Sequence, residues 1–348
     1  MKIVVLGAQG MLGSAICREF VAQGHQVTTV ARSGGDLAVD FRFDHTPQAL
    51  RPAVKGADIV VNAVGILLER TDAGGRNSFQ RVHVDAVEAL CKACELERVA
   101  RIVHLSALGV GTGLPGAYMA SKLAAELTLA AHAVDYAIVR PGLLMDAACP
   151  STRLFAALAR LPVIALPGLT QPGASPLAPI ALDDLARCVV RIASHPKALR
   201  RVIELTGPQT LSYRALLAHL RAAQGKGAAL WLPVPWWLMK FIARLAHRLP
   251  QKVVSVDNLR VLQAGSVSGR SETARWLGRK ALGLRELDLL APMTDDLALR
   301  AGDNAAAPHD RAGSQTLSVI KASGRRHVRA ANVIHPTPHS EGQHKLLR

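Results

Sequence analysis

Cysteines and aromatic side chains are scarce in this sequence of 348 residues. The five cysteines are scattered along the chain, which argues against a disulfide framework and fits a reducing compartment. Cys91 and Cys94 form a CxxC pair, but they stand in the middle of a helical pattern, so buried helix positions are favoured over a redox pair. Aromatic residues make up only 4%, which argues against base stacking as the main mode of nucleic-acid binding.

Long apolar runs are also absent. No uninterrupted run reaches the roughly 20 residues that a transmembrane helix needs. The apolar residues at the start of the chain could mimic a targeting signal, but glycines follow them at once, so a short buried strand is the better interpretation. We therefore expect a cytoplasmic protein, with peripheral association at the inner face of a membrane as an open possibility.

Acidic residues are few compared with basic ones. The chain has 42 Lys and Arg against 26 Asp and Glu, a net charge of +16, which suggests an anionic partner. No nucleic-acid recognition motif accompanies this charge, so no nucleic-acid partner is expected. Residues 301–348 hold seven of the basic residues, three acids and five of the 13 histidines. They show no apolar period and are predicted to be disordered, and the irregular histidine spacing does not indicate a metal site.

Strand and helix patterns alternate over the first 140 residues, which predicts βαβ units. Beyond residue 141 prolines cluster and the alternation ends. The predicted fold class is α/β, a Rossmann-type doubly wound parallel sheet with a smaller, mostly helical C-terminal region. The predicted domains are 1–142 for the Rossmann-type sheet, 143–300 for the smaller substrate or docking region, and 301–348 as the basic tail. The predicted strands are 3–6, 26–30, 38–41, 58–63, 101–106 and 136–140, and the main helices are 11–23, 78–97 and 115–132.

A glycine-rich loop, GAQGMLG, follows the first predicted strand and opens the first predicted helix. Glycine permits a close approach of the backbone to a ligand, and the helix start favours a pyrophosphate. In this strand–loop–helix context the pattern predicts a dinucleotide site rather than a simple tight turn. The predicted contacts are Gly7, Gln9, Gly10, Met11, Leu12 and Gly13.

Arg32 and Ser33 follow the second predicted strand, where proteins that prefer NAD usually carry an acid. A guanidinium suits a 2′-phosphate, so NADP(H) is favoured over NAD(H). A solvated arginine is the alternative, and the nearby Asp36 complicates the choice. Asp40, at the end of the third predicted strand, could accept a hydrogen bond from the adenine amino group. The small residues Ala63, Val64 and Gly65 end the fourth predicted strand and would let the backbone pass close to the adenine ribose.

Tyr118 and Lys122 stand in YMASK, four residues apart on one face of a predicted helix. An ammonium group beside a phenol lowers the pKa of the phenol and would let Tyr118 exchange a proton with a carbonyl or alcohol oxygen. Ser106, after the fifth predicted strand, would hydrogen-bond the same oxygen, and Lys122 could also hold the nicotinamide ribose. An exposed tyrosine beside a solvated lysine is the alternative.

These motifs, together with RPG around Pro141, resemble the short-chain dehydrogenase/reductase superfamily in its extended and atypical branches. The second half (for example QPGASPLAPIALDDLARCVV and IELTGPQTLSYRALL) is similar to the short-chain-dehydrogenase-like accessory subunit of complex I and its bacterial relatives. The resemblance covers about residues 1–295. His83 stands where extended members usually carry Asn, and the interval from Ser106 to Tyr118 is short for an extended enzyme.

The resemblance implies either of two functions. One is an NAD(P)-dependent oxidoreductase acting on a carbonyl, alcohol or quinone-related substrate, in which Tyr118 is the acid/base, Lys122 its electrostatic partner and Ser106 the substrate orienter. The other is a non-catalytic NADPH-binding accessory or assembly protein of a membrane respiratory or quinone-biosynthesis complex. The complete set of Ser106, Tyr118 and Lys122 favours the first.

Residues 236–249 read WWLMKFIARLAHRL, beginning at Trp236 and ending at Leu249. On a helix, Lys240, Arg244 and Arg248 share one face with His247, and apolar side chains cover much of the rest. Tryptophan at the start and only cations on the polar face suit an anionic membrane surface. An ordinary surface helix packed on the second region explains the same pattern equally well.

Overall fold

A parallel sheet is the centre of the structure, a computed structural model that describes residues 1–69, 75, 77–167, 175–238 and 263–290. The strands of the chain are β1 (Lys2–Leu6), β2 (Gln26–Ala31), β3 (Leu37–Ala38), β4 (Ile59–Asn62), β5 (Arg101–Leu105), β6 (Asp135–Pro141), β7 (Leu144–Met145), β8 (Val163–Pro167), β9 (Ile180–Ala181), β10 (Arg201–Leu205) and β11 (Leu230–Val234). Seven of them form the central sheet in the order β3-β2-β1-β4-β5-β6-β10, and every pair is parallel. The strand order reverses between β1 and β4, and sheets of this kind bind ligands at the carboxyl ends of the strands at that point.

Helices cover both faces of the sheet. The α-helices of the described residues are α1 (Met11–Ala22), α2 (Pro47–Val54), α3 (Ala86–Leu96), α4 (Ala117–Ala131), α5 (Pro150–Ala159), α6 (Leu182–Ala193), α7 (Tyr213–Ala223) and α8 (Thr273–Leu277), of which α5 and α7 belong to the second region. Buried side chains of α1, α6 and α8 share one hydrophobic cluster with the strands, and those of α2, α3 and α4 share the other. Both faces of the strands are apolar because both are covered, as in β1, where Ile3 and Val5 enter one cluster and Val4 and Leu6 the other. The predicted doubly wound α/β fold is confirmed.

The second region contains strands as well as helices. Strand β7 pairs with β9 and β8 with β11, and together with α5 and α7 they enclose a third hydrophobic cluster that includes Phe155 and Leu216. The sheet does not end near residue 142, because α6 packs on it and β10 pairs with β6. The boundary predicted at residue 142 therefore does not coincide with the end of the sheet. The third strand is also shorter than predicted and ends at Ala38.

Part of the positive charge of the chain is used inside the fold. Arg101 donates hydrogen bonds to carbonyl groups at the end of α6, Arg200 to those at the end of α4, and Arg221 to those at the end of α5. The last carbonyl groups of a helix have no partner within the helix, and cations are favourable there. These three arginines therefore complete helix ends.

Cys91 and Cys94 are fully buried in α3, and burial raises the pKa of both thiols. The prediction of buried helix positions for this pair is confirmed. In the described part of the chain, no helix is both long and apolar enough to cross a membrane. Residues 239–249 of the tryptophan segment and the whole tail 301–348 lie outside the described residues.

Candidate functional site

The glycine loop joins β1 to α1 at the point where the strand order reverses. Gly7 follows β1 with φ +79, a backbone conformation that favours glycine, and a methyl group there would lie 3.0 Å from the carbonyl carbon of Ala63. At Gly13 a methyl group would lie only 2.1 Å from the carbonyl oxygen of Gly7. The glycines therefore let α1 begin directly against the loop, which is the cradle that a dinucleotide pyrophosphate requires.

Helix α1 starts at Met11, immediately after Gly10. The first N–H groups of a helix, here those of Met11, Leu12 and Gly13, have no acceptor within the helix, so they and the helix dipole attract an anion. The side chain of Gln9 donates a hydrogen bond to the carbonyl oxygen of Gly34. Gln9 thus links the glycine loop to the segment that follows β2.

Arg32 and Ser33 are exposed directly after β2. The carboxylate of Asp36 accepts hydrogen bonds from the backbone N–H (2.7 Å) and the hydroxyl (2.8 Å) of Thr29, and these bonds hold the pKa of Asp36 below its usual value. Asp36 is therefore engaged by a residue of β2. Asp36, the acid that complicated the choice between NAD and NADP, therefore fixes the segment after β2 to Thr29.

Asp40 lies two residues beyond β3 rather than at its end, and its carboxylate is bound by Arg42 through Nε at 2.9 Å and Nη2 at 2.5 Å. Burial would raise the pKa of Asp40, but the hydrogen bonds from Arg42 and the charges of Arg42 and Arg32 hold it below its usual value. The sequence placed Asp40 at the adenine amino group. The structure shows a carboxylate that already has a guanidinium partner.

The backbone after β4 is held by a buried pair of side chains. Asn62 accepts a hydrogen bond from the N–H of Val64 at 3.1 Å, and its amide nitrogen lies 3.2 Å from Nδ1 of His104. The N–H of Ala63 donates to the carbonyl oxygen of Leu6 at the end of β1. Residues 63–65 therefore run along the carboxyl edge of the sheet beside the glycine loop, as the sequence predicts.

Lys122 reaches this edge from α4. The side chain is buried, and Nζ donates to the carbonyl oxygen of Leu105, the last residue of β5, at 3.0 Å. A methyl group at Gly65 would lie 3.2 Å from Nζ, which places the ammonium beside the segment after β4 as well. Burial lowers the pKa of Lys122 to about 8, against the opposing charge of Glu126.

Tyr118 lies one helical turn before Lys122, with its ring 5.9 Å from both Phe79 and His83 between ring centroids. Burial raises the pKa of the phenol to about 12. The net shift is therefore opposite to the lowering expected from Lys122, whose Nζ donates to a backbone carbonyl in this structure. The phenol keeps its proton at neutral pH, as a free tyrosine does, and its raised pKa makes it a weaker acid than a free tyrosine.

His83 lies in a single turn of π-helix (Gln80–Asp85) that leads into α3, a distortion that often marks functional sites. Its Nε2 accepts from the N–H of Ile66 at 3.0 Å, so Nδ1 carries the proton and donates to Ser121 Oγ at 2.9 Å. Ser121 donates in turn to the carbonyl oxygen of Tyr118 at 2.7 Å. Burial and the charge of Lys122 lower the pKa of His83 to about 3, so this link stays neutral.

Ser106 is buried just after β5, and its hydroxyl donates to Glu126 Oε1 at 2.5 Å. Arg140 of β6 holds the same carboxylate through Nε (2.9 Å) and Nη2 (2.6 Å). Glu126 was not among the residues that the sequence motifs predict. It follows Lys122 by four residues, as Lys122 follows Tyr118, so the helical spacing could have revealed it.

The predicted site residues thus meet at one edge of the sheet. Gly7 follows β1, Ala63 and Gly65 follow β4, Ser106 follows β5, and Pro141 ends β6, where its carbonyl oxygen accepts from the N–H of Leu108. Helix α4 brings the lysine to the same edge and carries the tyrosine one turn earlier. The arrangement can hold a dinucleotide over the sheet and carries a tyrosine one helical turn before a buried ammonium.

Known proteins resemble this chain in sequence and in fold. A family model described as NAD(P)H-binding matches residues 7–196, more than half of the chain. The ceramide reductase of Caulobacter vibrioides is 30% identical over 203 residues, which cover 56% of this chain and 61% of that protein. The mitochondrial 40 kDa subunit of NADH-ubiquinone oxidoreductase from Neurospora crassa is 28% identical over 150 residues, which cover 39% of each chain.

Among solved structures, the NADPH-dependent quinone oxidoreductase of Escherichia coli in complex with NADPH matches with a TM-score of 0.62. The identity is 17%, over 86% of this chain and 99% of that one, so this likeness concerns the fold. The chain spans less than two thirds of the length of both curated relatives. From the match over residues 7–196, the chain belongs to the NAD(P)H-binding Rossmann family and is an extended short-chain-dehydrogenase-like member of it.

Proposed function

We propose that this protein is an NADP(H)-dependent oxidoreductase that acts on a carbonyl, alcohol or quinone-related substrate. The observation that carries the proposal is the position of Lys122. It is 4% exposed, it donates to the end of β5, and it stands beside Gly65 at the dinucleotide edge, one turn after Tyr118. Burying an ammonium is costly, and such a perturbed group in a predicted site indicates function.

The residues divide the chemistry between them. The bound cofactor would supply or accept the hydride. Tyr118, which is protonated at pH 7, would give that proton to the substrate oxygen. Lys122, whose pKa is about 8, is mostly charged at that pH and would stabilise the phenolate that remains.

Support for NADP(H) over NAD(H) comes from the segment after β2. Arg32 is exposed there, and Asp36, the acid nearby, is engaged by Thr29. A charge-assisted contact between a guanidinium and a 2′-phosphate would contribute about 1.5–3 kcal/mol. The quinone oxidoreductase of Escherichia coli, which shares the fold, is NADPH-dependent and was solved with NADPH bound.

Tyr118→Phe tests the catalytic proposal. With NADPH and a panel of carbonyl compounds and quinones, we expect the unchanged protein to oxidise NADPH and the variant to do so about 10²–10⁴-fold more slowly. Because Phe keeps the ring, NADPH affinity should remain within a few-fold of that of the unchanged protein. A panel on which the unchanged protein binds NADPH but never oxidises it would refute an oxidoreductase and favour the accessory role.

The second candidate is a non-catalytic NADPH-binding accessory protein that docks on an anionic membrane. The observation that favours it is an exposed apolar surface on the β8–β11 pair, formed by Val163, Leu230 and Leu232. Trp237 follows β11 and is 68% exposed. The next residues of the sequence, 239–249, carry Lys and Arg and no acid, so the charge complements anionic lipid.

Co-sedimentation with anionic vesicles tests the docking. The double variant Leu230→Ser and Leu232→Ser should lose most of the vesicle binding of the full chain. The matched control is Leu96→Ser and Leu127→Ser, which also removes two exposed leucines but from α3 and α4, and it should bind as the unchanged protein does. Equal binding by all three proteins, or no binding by the unchanged protein, would rule out this surface.

A further inference from the structure

Glu126 is a buried carboxylate at the centre of a polar network beneath the candidate site. It is 4% exposed and receives three hydrogen bonds, one from Ser106 and two from Arg140. Arg140 also lies 3.6 Å from the carboxylate of Glu204 in β10, which accepts from the hydroxyl of Ser268. A two-pronged bond between a guanidinium and a carboxylate is among the strongest in proteins and fixes geometry as well as charge.

The position of Glu126 on α4 connects this network to the proposed chemistry. Tyr118, Lys122 and Glu126 follow one another at intervals of four residues, so they share one face of the helix. The charge of Glu126 opposes the effect of burial on Lys122 and favours the ammonium form. The clamp by Arg140 therefore holds in place the carboxylate that supports the ammonium.

The direction of the Ser106 hydroxyl proton follows from the same network. A serine hydroxyl has one proton, and Ser106 donates it in a hydrogen bond to Oε1 of Glu126. While Ser106 donates to Glu126 it cannot donate to a substrate oxygen. Its lone pairs remain available, so toward the site it can only accept.

We propose that Glu126 is a positioning residue that fixes the Ser106 hydroxyl as an acceptor toward the site and holds the charge of Lys122. Glu126 then acts through Ser106 and Lys122, Ser106 does not polarise the substrate oxygen by donating to it, and Tyr118 is the proton donor. The inference rests on the proposed function for the roles of Tyr118 and Lys122. The hydrogen bonds of Glu126 with Ser106 and Arg140 are observed in this chain and do not depend on that function.

The ammonium of Lys122 has several titratable neighbours besides Glu126. His83 of the π-helix and His104 of β5 face it, and the lowered pKa of each keeps the ring neutral. Tyr118, one turn before it, is also neutral, because burial raises the pKa of its phenol. Glu126 is therefore the one anion among the described groups that acts on Lys122. The carboxylate of Glu126 is itself paired with Arg140, which also pairs with Glu204.

The test is a titration of Lys122 by NMR in the full chain labelled with [13Cε]-lysine, its signal assigned by its loss in Lys122→Met. We expect a midpoint near pH 8 in the unchanged protein. Glu126→Gln should lower it by about one unit or more, since an opposite charge at close range shifts a pKa by about 1–3 units. The control Glu88→Gln removes an exposed carboxylate of α3 and should leave the midpoint unchanged.

The double variant Glu126→Gln and Arg140→Met separates positioning from stability. It removes both members of the ion pair, so it should recover much of the thermal stability lost in Glu126→Gln while keeping the lowered Lys122 midpoint. An unchanged midpoint in both variants would overturn the proposal. The titration uses no substrate, so a protein that shows the shift without any turnover would count against the proposed function and leave this inference standing.

A double-mutant cycle tests the role of Ser106. If Glu126 acts through Ser106, then Ser106→Ala should reduce kcat/KM several-fold in the unchanged protein and hardly at all in the Glu126→Gln background. Equal losses in both backgrounds would mean that the effect of Ser106 does not depend on Glu126, which contradicts the proposal.

Discussion

Gly13→Ala addresses the contact on which the cofactor site depends. The new methyl group would lie 2.1 Å from the carbonyl oxygen and 2.7 Å from the carbonyl carbon of Gly7, where ordinary contact begins at 3.4 Å. These are backbone atoms, so no side chain can rotate away, and α1 must retreat from the loop by more than about 1 Å. Such overpacking costs about 1–3 kcal/mol. The retreat also moves the N–H groups of Met11 and Leu12 away from the pyrophosphate position.

We expect Gly13→Ala to weaken NADPH binding by about tenfold or more, which corresponds to about 1.4 kcal/mol. The assay is a titration of NADPH fluorescence, with thermal unfolding of the apoprotein recorded in parallel. Gly269→Ala is the control, because a methyl group at Gly269 meets nothing within 4 Å. If Gly13→Ala bound NADPH as tightly as Gly269→Ala, the assignment of GAQGMLG to the pyrophosphate would be refuted.

Two further predictions concern nucleotide choice and acid stability. Arg32→Ala should weaken NADPH binding about tenfold or more and change NADH binding little. The control Arg18→Ala, which removes an exposed arginine of α1, should change the binding of neither nucleotide. Equal losses of NADPH and NADH binding in Arg32→Ala would argue against a 2′-phosphate contact. His83 stays neutral in the folded protein down to about pH 3, whereas in the unfolded chain it is protonated below about pH 6.5. Between these two pH values, His83 therefore lowers the free energy of unfolding by about 1.4 kcal/mol for each unit by which the pH decreases. Denaturant unfolding at pH 7, 5 and 4 should therefore show a smaller decline in His83→Asn than in the unchanged protein, and an identical decline would show that His83 titrates alike in both states.

Local patterns in the sequence predict the sheet and the position of most of the site. The glycine loop could be assigned because it follows a strand and opens a helix, and Tyr118 and Lys122 because helical spacing places them on one face. Strand β10 could not be assigned to the main sheet, since its pairing with β6 depends on how a distant segment returns.

Properties that depend on packing could not be predicted from the sequence. Burial, which no local pattern gives, raises the pKa of Tyr118 and so reverses the direction expected from its spacing to Lys122. Glu126, the partner of the Ser106 hydroxyl, lies 20 residues away on α4, and only the fold brings Glu126 and Arg140 of β6 together. The pairing of Asp40 with Arg42 depends on the turn after β3 and was not predicted, and the contact of Asp40 with adenine stays a prediction.

Native mass spectrometry of the purified full chain tests the central claim most directly, because the mass of any retained nucleotide identifies it. The account predicts one NADP(H) per chain, retained on purification or taken up when NADPH is added, with a lower occupancy in Gly13→Ala at the same NADPH concentration. A chain that takes up neither nucleotide, or that binds NADH in preference to NADPH, would contradict it.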